Sequence, residues 1–143
     1  MLIKNRIKKI LVPLDGSKNS FRGLDEAIYI ARQCGATITG MYVIPFYPSG
    51  LTLFPLPHVK ELSERAKKFM SYAKKRAAQN GIVFNEKITD GHEPDEIIGF
   101  AKEKKFDLIV IGARGYGAAK RFFLGSVSNS VVHESKTPVL IVK

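Results

Sequence analysis

Short apolar runs alternate along this chain with longer segments in which apolar residues recur every three or four positions. The runs are typical of buried parallel strands, and the periodic segments are typical of amphipathic helices that pack on them. The predicted strands are residues 7–14, 36–45, 82–89, 108–111 and 139–142. The predicted helices are residues 19–34, residues 59–80, a segment that opens at Glu93, and residues 126–134. This alternation predicts a three-layer α/β fold, with helices on both faces of a parallel sheet and one domain over residues 1–143.

Two of the predicted strands end in segments that favour a ligand site. The first strand runs into Pro13-Leu14-Asp15-Gly16, and the fourth runs into the stretch from Gly112 to Gly117. Ligands of doubly wound sheets bind outside the carboxyl ends of the strands, where the strand order reverses. If the first and fourth strands are neighbours, both segments flank one crevice. The third strand mixes polar with apolar residues, which predicts a position at the edge of the sheet.

The glycine-rich stretch of residues 107–129 reads as a strand, a loop and a helix start, with the spacing Gly112-x2-Gly115-x9-Gly125-Ser126. Glycines let a backbone approach closely, and the free N–H groups of a helix start attract anions. Gly115 and Gly125 would then bring bare backbone to the β- and γ-phosphates, and Ser126 would add a hydroxyl and an N–H group. A plain strand-to-helix connection is the alternative. The spacing matches neither a Walker A loop nor the dinucleotide fingerprint.

Several charged residues near these segments are candidates for contacts with a nucleotide. Asp15 could accept hydrogen bonds from ribose hydroxyls or hold Mg²⁺ through water, and the alternative is an Asx turn or a helix cap. Arg114 and the pair Lys120-Arg121 could contact phosphates, and the alternative for each is a solvated cation.

Groups with obvious catalytic chemistry are scarce. His58, His92 and His133 are far apart in the sequence, and none stands at a metal-ligand spacing with cysteine, aspartate or glutamate. Ser17 and Ser20 lack the context of a nucleophile elbow. The residues therefore predict no dedicated hydrolase or transferase, and we name no catalytic residue.

The net charge of +10, from 23 basic and 13 acidic residues, raises the question of nucleic-acid binding. The basic residues are scattered and form no known nucleic-acid motif, so specific nucleic-acid binding is disfavoured. No apolar run approaches the roughly 20 residues that span a bilayer, and the first residues do not resemble a signal peptide. The single cysteine, Cys34, fits a reducing compartment, and we expect a cytoplasmic protein without a membrane partner.

Three segments together resemble the universal stress protein family along nearly the whole chain. They are ILVPLDGS at residues 10–17, MYVIP at residues 41–45, and VIGARGYGAAKRFFLGSVSNSVVHESKTPVLIV at residues 110–142. The last segment is the most specific, because it fits the family's ATP-binding pattern of glycine, two residues, glycine, nine residues, and glycine with serine or threonine. The resemblance is to the nucleotide-binding branch of the family.

The resemblance implies a Rossmann-like five-stranded parallel sheet in the order 3-2-1-4-5, with ATP in the crevice. It implies that Pro13 and Asp15 line the adenosine side and that the backbone of Val43 meets adenine. The residues that we assign to the nucleotide site are Pro13, Leu14, Asp15, Val43, Gly112, Arg114, Gly115, Gly125, Ser126 and Val127, and we expect Mg²⁺ as a cofactor held by Asp15 through water. The resemblance also implies a homodimer that pairs the edge strand Val139–Val142 with its copy. One departure is the segment 46–57, which is unusually rich in proline and apolar residues.

Three functions are compatible with these residues. The first is an ATP-binding stress-response protein that uses ATP as a conformational signal or hydrolyses it slowly. The second is an interaction module that does not use ATP and acts through its basic surface and residues 46–57. The third is an ATPase, for which Asp15 is the one candidate base. Adenylating enzymes of a related fold carry Ser-Gly-Gly-x-Asp-Ser after the first strand and are disfavoured, because residues 13–17 here read PLDGS.

Overall fold

The computed structural model describes residues 7–45, 56–115 and 124–143, except for the side chains of residues 56–58. Within these ranges, strands and helices alternate as the sequence predicts. They are β1 Lys9–Pro13, α1 Lys18–Cys34, β2 Thr37–Pro45, α2 Leu56–Gln79, β3 Phe84–Gly91, α3 Glu93–Glu103, β4 Leu108–Gly112, α4 Ser126–Glu134 and β5 Val139–Val142. The strands form one five-stranded sheet in the order β3-β2-β1-β4-β5, and every pairing is parallel. The predicted fold and strand order are confirmed.

Most elements begin or end one to three residues from the predicted positions, and α2 and β3 differ most. Helix α2 begins at Leu56 rather than at Val59, so residues 56 and 57 of the proline-rich segment are helical, while residues 46–55 lie outside the described ranges. Strand β3 begins at Phe84 rather than at residue 82 and continues to Gly91, because it pairs with β2 along its whole length. It lies at the edge of the sheet, as its polar residues predict.

The sheet is buried on both faces, which explains why the inner strands are continuous apolar runs. Ile10 and Val12 belong to a core that contains residues of α1 and α2, whereas Leu11 belongs to a core that contains residues of α3 and α4. All three are fully buried. Side chains of a strand point alternately to its two faces, so this segment contributes to both layers. Helices α1 and α2 therefore cover one face, and α3 and α4 cover the other.

Local signals set the ends of the helices that approach the carboxyl edge of the sheet. Ser17 caps α1, and its hydroxyl accepts a hydrogen bond from the Ser20 N–H at 3.1 Å. The predicted end of α1 is confirmed at Gly35, which has a φ of 68°. Helix α3 begins with Glu93 and Pro94, and it carries acidic residues throughout its first turn.

Strands β1 and β4 are neighbours, with Ile10 opposite Leu108 and Leu11 opposite Ile109. Their carboxyl ends therefore meet at the same edge of the sheet, and the segments that follow them flank one crevice, as predicted. Strand β2 lies on the other side of β1, and it brings Val43 to the same edge. The strand order reverses between β1 and β4, which is where a doubly wound sheet forms its ligand site.

Candidate functional site

A cavity of about 200 Å³ opens at the carboxyl ends of β1, β2 and β4. Its lining includes every residue that the sequence analysis assigned to a nucleotide site. These residues are Pro13, Leu14, Asp15, Val43, Gly112, Arg114, Gly115, Gly125, Ser126 and Val127. The fold therefore brings together residues that lie more than a hundred positions apart in the sequence. Gly117, Lys120 and Arg121 of the predicted loop lie outside the described residues.

The amino-terminal end of α4 forms one wall of the cavity, and it has the features of an anion-binding site. Gly125 is the N-cap residue and provides no side-chain cap, and the first turn contains no acidic residue. The N–H groups of the first turn have no acceptor within the helix, and the helix dipole adds partial positive charge there. Gly125 is held in place because its N–H donates to the carbonyl oxygen of Ala113 at 2.8 Å. The buried hydroxyl of Ser128 donates to the same oxygen at 2.7 Å.

Asp15 lies between the β1 end and the glycine loop. Its Oδ1 accepts a hydrogen bond from the Ser17 N–H at 2.9 Å, so the Asx turn that was the alternative interpretation is present. Its Oδ2 occupies the position that a Cβ atom would take at Gly115. Any other residue at position 115 would collide with this carboxylate. One oxygen of Asp15 thus orders the turn, while the other faces the glycine loop.

Asn19, a residue that the sequence analysis did not select, fixes the start of the glycine loop. Its Oδ1 accepts a hydrogen bond from the Arg114 N–H at 2.7 Å, and its Nδ2 donates to the carbonyl oxygen of Val142 at 3.2 Å. A Cβ atom at Gly112 would lie 2.8 Å from the backbone oxygen of Asn19. Gly112 therefore lines the cavity, but close packing of α1 is the reason that it must be a glycine.

Glu93 is the most consequential lining residue that the sequence analysis missed, because it was identified only as the start of a predicted helix. Its half-buried side chain enters the cavity from the first position of α3. Burial raises the pKa of this carboxyl, and the neighbouring charge of Asp15 raises it further. The remaining unpredicted lining residues gave no signal in the sequence beyond their place in predicted elements; they are Ser20, Met41, Tyr42, Ile97, Ile111 and Ser128.

The histidines take no part in this cavity where their side chains are described. The Nδ1 atom of His92 lies 2.9 Å from an oxygen of Asp95, and His133 is exposed in the last turn of α4. Residues 7–45, 56–115 and 124–143 contain no group of three side chains able to hold a metal ion. Over the same ranges, none of the helices combines the length and the hydropathy that crossing a membrane requires.

The profile of the universal stress protein family matches residues 6–143. Universal stress protein MJ0531 from Methanocaldococcus jannaschii is 34% identical over 147 residues, an alignment that covers 98% of this chain and 84% of that protein. The chain therefore belongs to the universal stress protein family.

Solved structures of the family agree with this assignment. Universal stress protein UspA from Lactobacillus plantarum superimposes with a TM-score of 0.83 at 28% identity, covering 96% of this chain and 99% of that one. A universal stress protein in complex with cAMP superimposes with a TM-score of 0.75 at 28% identity, covering 95% of this chain and 97% of that one.

Proposed function

We propose that this member of the universal stress protein family binds ATP at the carboxyl ends of β1, β2 and β4 and acts as a nucleotide-dependent regulatory protein in a stress response. The observation that carries the proposal is the start of α4. It is uncapped and free of acidic residues, and it lines the same cavity as Gly115 and Arg114. The relative in complex with cAMP supports an adenine nucleotide as the ligand.

The distribution of charge orients the ligand in the cavity. Phosphates would lie against the first turn of α4 and the glycine loop, where N–H groups and the Arg114 side chain supply positive charge. The end of the cavity that β2 and α3 form is lined by apolar side chains, including Val43 and Ile97, and by the carboxylate of Glu93. A nucleoside fits this end, because the carboxylate would repel a phosphate and the apolar groups would contact the base.

Mg²⁺ would accompany the nucleotide, with phosphate oxygens and waters as most of its ligands. Asp15 fits the protein side of such a site, since its Oδ2 faces Gly115 within the proposed phosphate loop. The ion would supply neutralising charge where the carboxylate and the phosphates approach each other.

We assign ATP the role of a conformational ligand whose hydrolysis is slow at most. Asp15 places a carboxylate beside Gly115, and its Oδ1 already accepts a hydrogen bond from the Ser17 N–H. Activation of a water molecule would depend on Oδ2, the oxygen that we assign to Mg²⁺. Multiple turnover well above background that disappears in Asp15→Asn would establish an ATPase instead.

The edge strand β5 suggests how two copies assemble. Leu140 in this strand is 37% exposed, and β5 pairs with β4 on one side only. An apolar edge of this kind is covered in stable proteins, and pairing with a second β5 would cover it. We therefore propose a homodimer, to be measured by light scattering, in the cytoplasm that a single cysteine, Cys34, suggests.

Titration calorimetry with Mg-ATP on protein freed of bound ligand tests the central proposal. A saturable heat with a stoichiometry near one per chain is the expected result, together with an adenine nucleotide released on denaturation of freshly purified protein. If no saturable heat is measured and no nucleotide is released, ATP binding is wrong. A partner bound through residues 46–57 irrespective of ATP would then favour the interaction module.

A further inference from the structure

Glu93 occupies a position at which a carboxylate is costly to the folded protein. It lies one helical turn before Ile97, a buried residue of the core beneath α3, and both residues line the cavity. No hydrogen-bond donor in residues 7–45, 56–115 or 124–143 contacts its carboxylate. Two charged groups act on it: the carboxylate of Asp15 opposes ionisation of Glu93, and the adjacent His92 favours it.

The pKa of Glu93 is raised, although its position at the start of a helix would by itself lower it. The start of α3 should lower the pKa of an acid in the first turn, because the helix dipole stabilises negative charge there. Burial raises the pKa of Glu93, the charge of Asp15 raises it further, and the charge of His92 lowers it by less. Residues that reduce stability in this way are expected where a ligand uses them.

A ligand group that satisfies this carboxylate must be a hydrogen-bond donor and must belong to the uncharged part of a nucleotide. The cavity lining also includes Met41, Val43 and Ile97, which belong to one apolar cluster and suit the faces of a base. Adenine presents an exocyclic amine as a donor on its edge, whereas hypoxanthine presents a carbonyl oxygen at the same place. A carboxylate accepts from the amine and repels the carbonyl oxygen.

We propose that Glu93 determines the base specificity of the site by accepting a hydrogen bond from the exocyclic amine of adenine. This inference rests on the proposed ATP site and adds a residue that selects the base. It also explains why a half-buried acid without a protein donor is placed among apolar lining residues.

The test compares ATP with inosine triphosphate, which differs from it at this edge of the base. Calorimetry at pH 8 on the full chain, with Mg²⁺ present, gives the two dissociation constants for the original protein and for Glu93→Gln. We expect the original protein to favour ATP by about tenfold or more, the factor that one charge-assisted hydrogen bond supplies. In Glu93→Gln the preference should fall to about threefold or less, because an amide can both accept from the amine and donate to the carbonyl oxygen.

Glu96→Gln is the matched control. Glu96 lies in the first turn of the same helix, where its side chain packs near Gly91 and does not line the cavity. This variant removes the same charge from the same helix and should retain the original preference for ATP.

The outcomes separate this inference from the proposed function. If the original protein binds both triphosphates equally, or prefers inosine triphosphate, the inference is wrong while nucleotide binding stands. The same conclusion follows if Glu93→Gln keeps the original preference. If the original protein binds neither triphosphate, the proposed function itself is wrong.

Discussion

Replacement of Gly125 by valine separates ligand binding from folding, because the structure accepts a side chain at this position. A Cβ atom there would lie 3.5 Å from the carbonyl oxygen of Ala113 and from the Cα atom of Arg114, which are ordinary contact distances. The φ of −64° and ψ of 163° are open to any residue. Valine is a poorer N-cap than glycine, so we expect a loss of about 1 kcal/mol of stability. In a chain of this size that loss lowers Tm by roughly 4 °C.

The effect of Gly125→Val on binding should be much larger than its effect on stability. The valine methyl groups would occupy space beside the first turn of α4, where a phosphate must approach the N–H groups. Loss of two charge-assisted hydrogen bonds, at about 1.5 kcal/mol each, weakens binding by roughly a hundredfold. Calorimetry with Mg-ATP measures this change, and thermal unfolding measures stability.

Gly99→Val is the control for this pair of measurements. Gly99 lies within α3, outside the cavity lining, and a Cβ atom there meets nothing within 4 Å. We expect it to bind ATP as the original protein does. If Gly125→Val binds within threefold of the original protein, the phosphates do not lie at the start of α4.

Three further variants test other parts of the structure. Gly40→Ala should lose about 1–3 kcal/mol in urea unfolding, because its Cβ would lie close to the Phe84 ring in the core. Asn19→Ala should lose about 1–3 kcal/mol and also weaken ATP binding, because it frees the Arg114 N–H that starts the glycine loop. Glu93→Gln should raise Tm by about 1–3 °C at pH 7 and leave it unchanged at pH 4. The raised pKa means that the folded protein holds the Glu93 proton more tightly than the unfolded chain does, so stability falls as pH rises between the two values. A Tm gain for Glu93→Gln that persists at pH 4, an unchanged urea midpoint for Gly40→Ala, or ATP binding by Asn19→Ala equal to that of the original protein would contradict these arguments.

The fold was predictable because its signals are local and repeated. Apolar runs such as Ile10-Leu11-Val12 identify strands that are buried on both faces, and glycine at position 35 ends a helix through its positive φ. Parallel pairing then follows from the alternation of strands and helices. The order of the strands was implied by the family resemblance, since periodicity alone leaves several orders open. The start of α2 at Leu56 was mispredicted because prolines in the preceding segment obscured it, although proline is accepted in a first helical turn.

The candidate site was predictable only where its residues form a sequence pattern. The glycine spacing and the residues that follow β1 can be recognised in the sequence, and the structure brings them to one cavity. Glu93 and Asn19 belong to no sequence pattern that indicates a site. An acid or an asparagine near the start of a helix is common, because it stabilises the helix end. Their importance depends on which strands are neighbours and on how closely α1 packs on β4. Such facts exist only in the folded chain.

The three described glycines of the motif show that one sequence pattern can have a different physical reason at each of its positions. Gly112 is required because the backbone of Asn19 lies 2.8 Å from the place of its Cβ, which is a constraint of packing. Gly115 is required because the Asp15 carboxylate occupies that place, which is a constraint within the site. Gly125 meets no close contact and has an ordinary backbone conformation. Nothing in the described part of the chain demands a glycine at position 125, and the phosphate that we propose at the start of α4 would supply a reason for it.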